Sequence, residues 1–199
     1  MEKEVETYGK VDLEVGSLAN LNITVNRGFA KVSVGWNQKQ YRVGFVTGEA
    51  HVILRDILRD LLRITAASRT TLRLGLPERN LHVDRVVAEV VAPGVRHIGE
   101  DSSIDQRALP TVKYIEEERR ILVQNDCLTA DPAPPRALID FYGVKAQMLG
   151  PIVRDDRVIG WISVHYTLGF REWGEEDVAA LQGALERVQQ ELTFWQEEK

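Results

Sequence analysis

Cysteine is nearly absent: Cys127 stands alone in 199 residues. No disulfide can close within the chain, and no cysteine-based zinc site can form. Histidine is scarce too. His51, His82, His97 and His165 share no ligand spacing such as His-x-x-x-His, so a metal centre is not indicated, although one histidine can still serve as an axial haem ligand. No apolar run approaches the ~18 residues of a membrane span. No apolar run follows Met1-Glu2-Lys3-Glu4, so no secretory signal is expected and a cytoplasmic location is. An excess of positive charge is also missing. Lys and Arg number 25 against 30 Asp and Glu, a net charge of −5, which argues against nucleic acid or an anionic membrane as partner. Glycine-rich phosphate loops, a Gly-x-Ser-x-Gly elbow and a His-Glu-x-x-His motif do not occur. The carboxylate pairs Asp155-Asp156 and Glu175-Glu176 fall at an expected hairpin tip and helix start, where solvated charge accounts for them.

What is present is an ordinary globular composition, 44% hydrophobic and 28% charged. Residues 1–46 alternate apolar and polar positions with period two: Val11, Leu13, Val15; Leu21, Ile23, Val25; Ala30, Val32, Val34, Trp36; Tyr41, Val43, Phe45. Asn26-Arg27-Gly28 and Asn37-Gln38-Lys39-Gln40 punctuate them. Three or four short strands are expected there, with no chemistry of their own. The period changes over 47–68, where Ala50, Leu54, Ile57, Leu61 and Ile64 mark an amphipathic helix. Strands follow over Thr70–Leu76 and Leu81–Val91, then a polar loop over 95–107. A short helix is expected over Leu109–Glu118 and a strand at Ile121–Val123. A proline-held loop and a short helix at Arg136–Tyr142 come next, then strands Lys145–Val153 and Val158–Tyr166. A helix over Gly174–Gln196 ends the chain. Two units are expected, a β-rich segment over 1–46 and an α+β domain over 47–199.

The last helix carries Val178, Leu181, Leu185, Val188, Leu192 and Trp195, spaced 3, 4, 3, 4, 3. That is an a/d seam. It can pack on the chain's own sheet and first helix, or on a second copy; self-association is the preferred expectation.

The run Tyr142-Gly143-Val144-Lys145-Ala146-Gln147-Met148-Leu149-Gly150-Pro151-Ile152-Val153 leads into Arg154-Asp155-Asp156-Arg157 and then Val158-Ile159-Gly160-Trp161-Ile162-Ser163-Val164-His165. Phe170-Arg171-Glu172-Trp173 and Glu175-Glu176-Asp177 follow. This stretch resembles the C-terminal half of a GAF domain: a strand ending in Pro-Ile, a polar hairpin, a Val-Ile-Gly strand and an acidic helix start, with Phe170 where that family usually has proline. Leu109-Pro110 and Ile121–Asp126 look like the family's middle section, and the likeness extends over about 48–196. The resemblance implies a PAS-like α+β fold. A central antiparallel sheet would carry the N- and C-terminal helices on one face and pocket-forming loops on the other. It also implies a small-molecule ligand, a homodimer through residues 50–64 and 178–195, and an output protein partner. It does not choose the ligand. A covalent bilin is disfavoured, since no Cys-His pair exists and Cys127 lies early in its loop; a noncovalent tetrapyrrole stays open. The Asn-Lys pair of cyclic-nucleotide members is missing, and one cysteine cannot run an intramolecular thiol–disulfide cycle.

Within that frame, alternation puts Trp161, Ser163 and His165 on one strand face, a ring, a hydroxyl and an imidazole suited to a ligand pocket. Gln147 shares a face with Leu149 on the neighbouring strand. Ser102, Ser103, Asp105, Arg107, Thr111 and Tyr114 lie where such folds close the pocket. Arg107 is the candidate anchor for a ligand carboxylate or phosphate. No catalytic group is assigned; an enzyme on this scaffold would have His165 alone. The other alternative is a filled pocket, with the domain serving only as an interaction module.

Overall fold

The computed structural model describes residues 20–26, 29–36, 39–46, 48–99 and 105–194. The expected strand over 11–15, Ser102, Ser103 and Trp195 lie outside them. Three antiparallel strands come first: β1 (Asn20–Asn26), β2 (Phe29–Trp36) and β3 (Lys39–Val46). They form a sheet of their own in the order β1-β2-β3, with Val32 opposite both Ile23 and Val43.

The second sheet has five strands, β4 (Arg69–Leu74), β5 (Ala88–Val91), β6 (Leu122–Gln124), β7 (Ala146–Arg154) and β8 (Arg157–Tyr166), in the order β5-β4-β8-β7-β6 and antiparallel throughout. Four helices accompany it: α1 (Gly48–Thr65), α2 (Pro110–Glu118), α3 (Arg136–Asp140) and α4 (Glu175–Phe194). This is the expected α+β arrangement. The β7–β8 turn is made by Asp155 and Asp156, both at positive φ (50° and 60°), the conformation that suits a two-residue hairpin.

One sheet face lies under α1 and α4. Leu72 and Leu74 of β4, Met148 and Ile152 of β7, and Ile162 and Val164 of β8 meet Leu54, Ile57, Leu58 and Leu61 of α1. From α4 come Leu181, Leu185, Val188 and Leu192. Close approach is built in at Gly150, where an added Cβ would sit 2.6 Å from Leu185 Cδ1. These contacts give the a/d seam a partner within the chain, the first of the two packings that its spacing allows. Leu181 and Val188 are fully buried within one chain, with Leu185 and Leu192 nearly so. The 3-4 spacing is satisfied by the chain's own sheet and α1.

Two element boundaries differ from expectation. Of Leu81–Val91, only Ala88–Val91 is strand. A 3-10 turn at Pro77–Arg79 and Asn80 at φ 53° reverse the chain, so Leu81 bridges back to Leu76, and His82–Arg85 turns again. The polar 95–107 loop runs into a 3-10 turn over Gln106–Ala108, where Asp105 accepts the Arg107 backbone N–H at 3.1 Å.

Candidate functional site

The site is on the face opposite α1 and α4. Period-two alternation and the strand register align its side chains in rows across the sheet. The first row runs Arg69 (β4), His165 (β8), Gln147 (β7) and Gln124 (β6), each cross-strand neighbour paired. The second runs Glu89, Thr71, Ser163, Leu149 and Leu122. The third pairs Arg73 with Trp161 and Trp161 with Pro151. Except for Glu89, every side chain named in these rows is buried. A buried sheet face is usually apolar, so this concentration of polar groups is the feature that separates it from a plain core.

Part of the first row is tied together. Gln147 Nε2 donates to Gln124 Oε1 at 2.6 Å, and Gln124 Nε2 donates to the Pro132 carbonyl at 2.6 Å. Arg73 Nη1 donates to the Val83 carbonyl at 2.8 Å, and Arg69 Nη2 to the Tyr142 carbonyl at 3.3 Å. The Tyr142 ring lies 5.5 Å from the Arg69 guanidinium carbon. Burial, reinforced by the Arg69 and Arg73 charges, holds the His165 imidazole well below its ordinary pKa, so it is neutral at pH 7. Burial also lowers the Arg69 pKa, opposed by Glu89 and Tyr142; a guanidinium stays protonated regardless.

Over this floor lies a cavity of about 60 Å³. Thr71, Arg73, Gln147, Trp161, Ser163 and His165 form its base, and Ile98, Leu109, Val112 and Leu138 its apolar cover, with Gln106, Thr111 and Tyr142 between. Trp161 and Leu149 are also packed with Val83, Val112, Ile115 and Leu122, which fixes the floor on a rigid base. The cover comes from the α2 and α3 segments and the 95–99 loop. Glu89 anchors that loop by accepting the Ile98 and Gly99 backbone N–H groups at 2.8 and 3.1 Å.

Of the residues expected from the sequence, the fold brings Trp161, Ser163, His165, Gln147 and Thr111 together around this cavity. Asp105 and Arg107 lie elsewhere, in a second cleft of about 180 Å³ with His82 and Asp84. That cleft is the larger, but His82, Asp105 and Arg107 are exposed; the inner cavity, with its buried polar walls, is the better candidate. Arg107 pairs with Glu116 outside the inner cavity. Tyr114 packs at the edge of the Trp161 cluster, under the Arg120 guanidinium. Thr71, Arg73 and Arg69 are the functional candidates that strand alternation alone does not single out.

Cys127 is buried with Ile139 and Val144 and does not line the cavity. Burial, with Asp126 adding to it, pushes its thiol up to about 12. Such a thiol is almost wholly protonated at neutral pH and a poor nucleophile.

The GAF domain family matches residues 49–192. The chain is a member of the GAF family. Solved structures agree at the level of the fold. The blue-light-absorbing form of the PixJ GAF domain from Thermosynechococcus elongatus has a TM-score of 0.58 at 20% identity, over 75% of this chain and 89% of that one. The GAF region of a Geobacter sulfurreducens membrane protein gives 0.58 at 19%, over 73% and 94%. A far-red-absorbing dark state with bound biliverdin gives 0.56 at 15%, over 72% and 92%. Among curated proteins no significant match is found. Among the described residues, no group of three or more His, Cys, Asp and Glu could hold a metal ion, and no helix is long and apolar enough to cross a membrane.

Proposed function

We propose that this GAF domain is a small-molecule sensor whose ligand occupies the cavity over Trp161, Ser163 and His165, and whose occupancy is read by a partner protein. The observation that carries the reading is the buried polar floor under an apolar cover. Few convergent polar groups in an apolar, concave setting are the usual make-up of a ligand site, and a domain stabilised only by packing would fill that face with aliphatic side chains. In this reading the unit that senses is 47–199, and residues 1–46 are an appended β segment.

Size argues about ligand class. The cavity of about 60 Å³ is at least fivefold below the ~300 Å³ lower end of drug-sized pockets. A tetrapyrrole does not fit without a large rearrangement of the cover, and Cys127, buried and away from the cavity, is poorly placed to attach one. Biliverdin in the far-red relative is therefore a guide to the fold and not to this ligand.

Signal would leave through the edge of the sheet. Gln124, at the end of the polar row, accepts the Trp173 indole N–H at its carbonyl (3.4 Å), and Asn125 Oδ1 accepts the Trp173 backbone N–H at 3.2 Å. Trp173 stands just before α4, so a shift of β6 reaches that helix. Self-association through the outer face of α1, where Val52 and Ile64 are exposed, is the dimer mode that the buried seam leaves open.

Native mass spectrometry of protein taken from a rich lysate, with an absorption spectrum alongside, tests the reading. A reproducible small-molecule mass of modest size supports it. A bound chromophore contradicts the size argument. A second reading, an interaction module without a ligand, is favoured by the same small volume. It becomes the better one if the protein is clean and a chemically diverse fragment set leaves its melting temperature unchanged.

A further inference from the structure

The three-stranded sheet has two unlike faces. Cross-strand pairing sets Ile23, Val32 and Val43 in one row. Strand alternation puts the rows two positions to either side on the same face. They run from Leu21 across to Tyr41 and from Val25 across to Phe45, and every residue in them is aliphatic or aromatic. The rows between belong to the opposite face: Asn22, Ser33 and Arg42, then Thr24, Lys31 and Gly44. An antiparallel sheet patterned in this way packs one side against something and leaves the other to water. Among the described residues, no helix or strand of the α+β domain packs along this sheet. The domain's core is joined by Val46, at the end of β3 and on the face opposite Phe45. Three rows of three apolar residues, with no charge among them, are more than three short strands leave exposed.

Within the chain no matching cover is found. Both faces of the five-stranded sheet are already covered, one by α1 and α4 and the other by the segments over the cavity. On α1, which follows β3 after one intervening residue, the exposed large apolar side chains are Val52 and Ile64. Val11, Leu13 and Val15 offer three apolar positions against nine. We propose that residues 20–46 are a homodimerisation module, in which the apolar face of β1–β3 packs on the same face of a second copy of this chain. Two such sheets stack about 10 Å apart with their strands roughly aligned, and a two-fold axis lets one surface serve as its own complement. The absence of charge gives a partner of opposite charge nothing to recognise. Nine apolar side chains at roughly 60–120 Å² each bury about 1,100–2,200 Å² over two copies, which is the area of a standard protein–protein interface. The pairing uses a different surface from the outer face of α1, and it does not depend on the cavity holding a ligand.

Sedimentation equilibrium of the full chain over a concentration series tests this, together with substitutions on each surface. A dimer with a dissociation constant of about 10 μM or tighter is expected. Val32→Lys, at the centre of the apolar face, is expected to weaken it about a hundredfold or more by burying an unpaired charge. Ser33→Lys, on the opposite face, and Val52→Glu, on α1, are expected to leave it unchanged. Mixed isotope-labelled wild-type protein is expected to show methyl–methyl contacts between copies among Ile23, Val32 and Val43. Should Val32→Lys cost the sheet itself, those contacts decide alone. A chain that stays monomeric at about 0.5 mM, far above the expected constant, overturns the proposal. So does a dimer that tolerates Val32→Lys but is lost with Val52→Glu, which would place the interface on α1. Contacts from those methyls to Val11, Leu13 and Val15 of the same copy would overturn it too, by giving the face a cover within the chain.

Discussion

Glu89→Gln isolates the electrostatic tension at the cavity floor. The substitution removes the charge that faces buried Arg69, and it keeps an acceptor oxygen for only one of the Ile98 and Gly99 N–H groups, which use different Glu89 oxygens. At 3.8 Å, two unit charges in an effective dielectric of 20 attract by about 4 kcal/mol. Breaking a buried pair from one side typically destabilises by about 3–5 kcal/mol, because the remaining charge has no counterion. The retained amide dipole and the lower desolvation of glutamine offset part of that. The expected net loss is therefore about 2–4 kcal/mol. Urea unfolding at pH 7.5, followed by tryptophan fluorescence, reads it as a lower midpoint at unchanged slope. The same change in an Arg69→Met background, where no cation is left to neutralise, is expected to cost only the lost loop hydrogen bond, about 1 kcal/mol. A single-mutant loss below about 0.5 kcal/mol, or an equal loss in both backgrounds, would refute the claim that Glu89 balances Arg69.

Other expectations follow from the same geometry. Gly160→Ala puts a Cβ 2.2 Å from the Arg73 carbonyl oxygen, a backbone atom that cannot step aside; a loss of about 2 kcal/mol or more is expected in urea unfolding, and wild-type stability would contradict the close β4–β8 packing. Cys127, with a thiol at about 12, is expected to resist iodoacetamide in native buffer at pH 8 and to react at once in urea; rapid native labelling would show the thiol to be accessible. His165 is held well below 6.5 in the fold by burial and two arginines, so the unfolded chain binds the extra proton as pH falls below about 6.5. Its contribution to stability is intact above that pH and declines by up to about 1.4 kcal/mol per pH unit below it. His165→Gln should flatten that slope, as measured by unfolding from pH 7.5 to 5; an unchanged slope would place its origin elsewhere.

Much of the fold is legible because its signals are local. The period-two pattern of Trp161, Ser163 and His165 fixes their common face, and their strand neighbours then follow from register. The α1 and α4 stripes are equally plain, but a 3-4 spacing does not say whether its partner is the same chain. Here Leu181 and Val188 answer with their own sheet. Leu81, Val83 and Val87 give an apolar run that looks like a strand and is bent by Pro77 and Asn80 into a turn. Arg69 and Arg73 are the instructive omissions. Arginines alternating with Leu72 and Leu74 look like the solvated face of a strand. They are buried because segments with no periodicity of their own, around Ile98, Leu138 and Tyr142, fold over them. Burial of that kind belongs to the tertiary structure alone. Arg107 shows the converse: sequence position near the cover does not place it in the inner cavity, and it lies in the outer cleft beside Glu116, nine residues away in sequence.

The most direct test of the cavity as a ligand site is a ¹H–¹⁵N correlation titration of the protein with a chemically diverse fragment set. Saturable shifts of the Trp161 indole N–H and the Gln147 side-chain amide, both at the cavity base, are the predicted result. Shifts confined to exposed residues such as Arg107 and His82, or none at the cavity at any concentration, would contradict it.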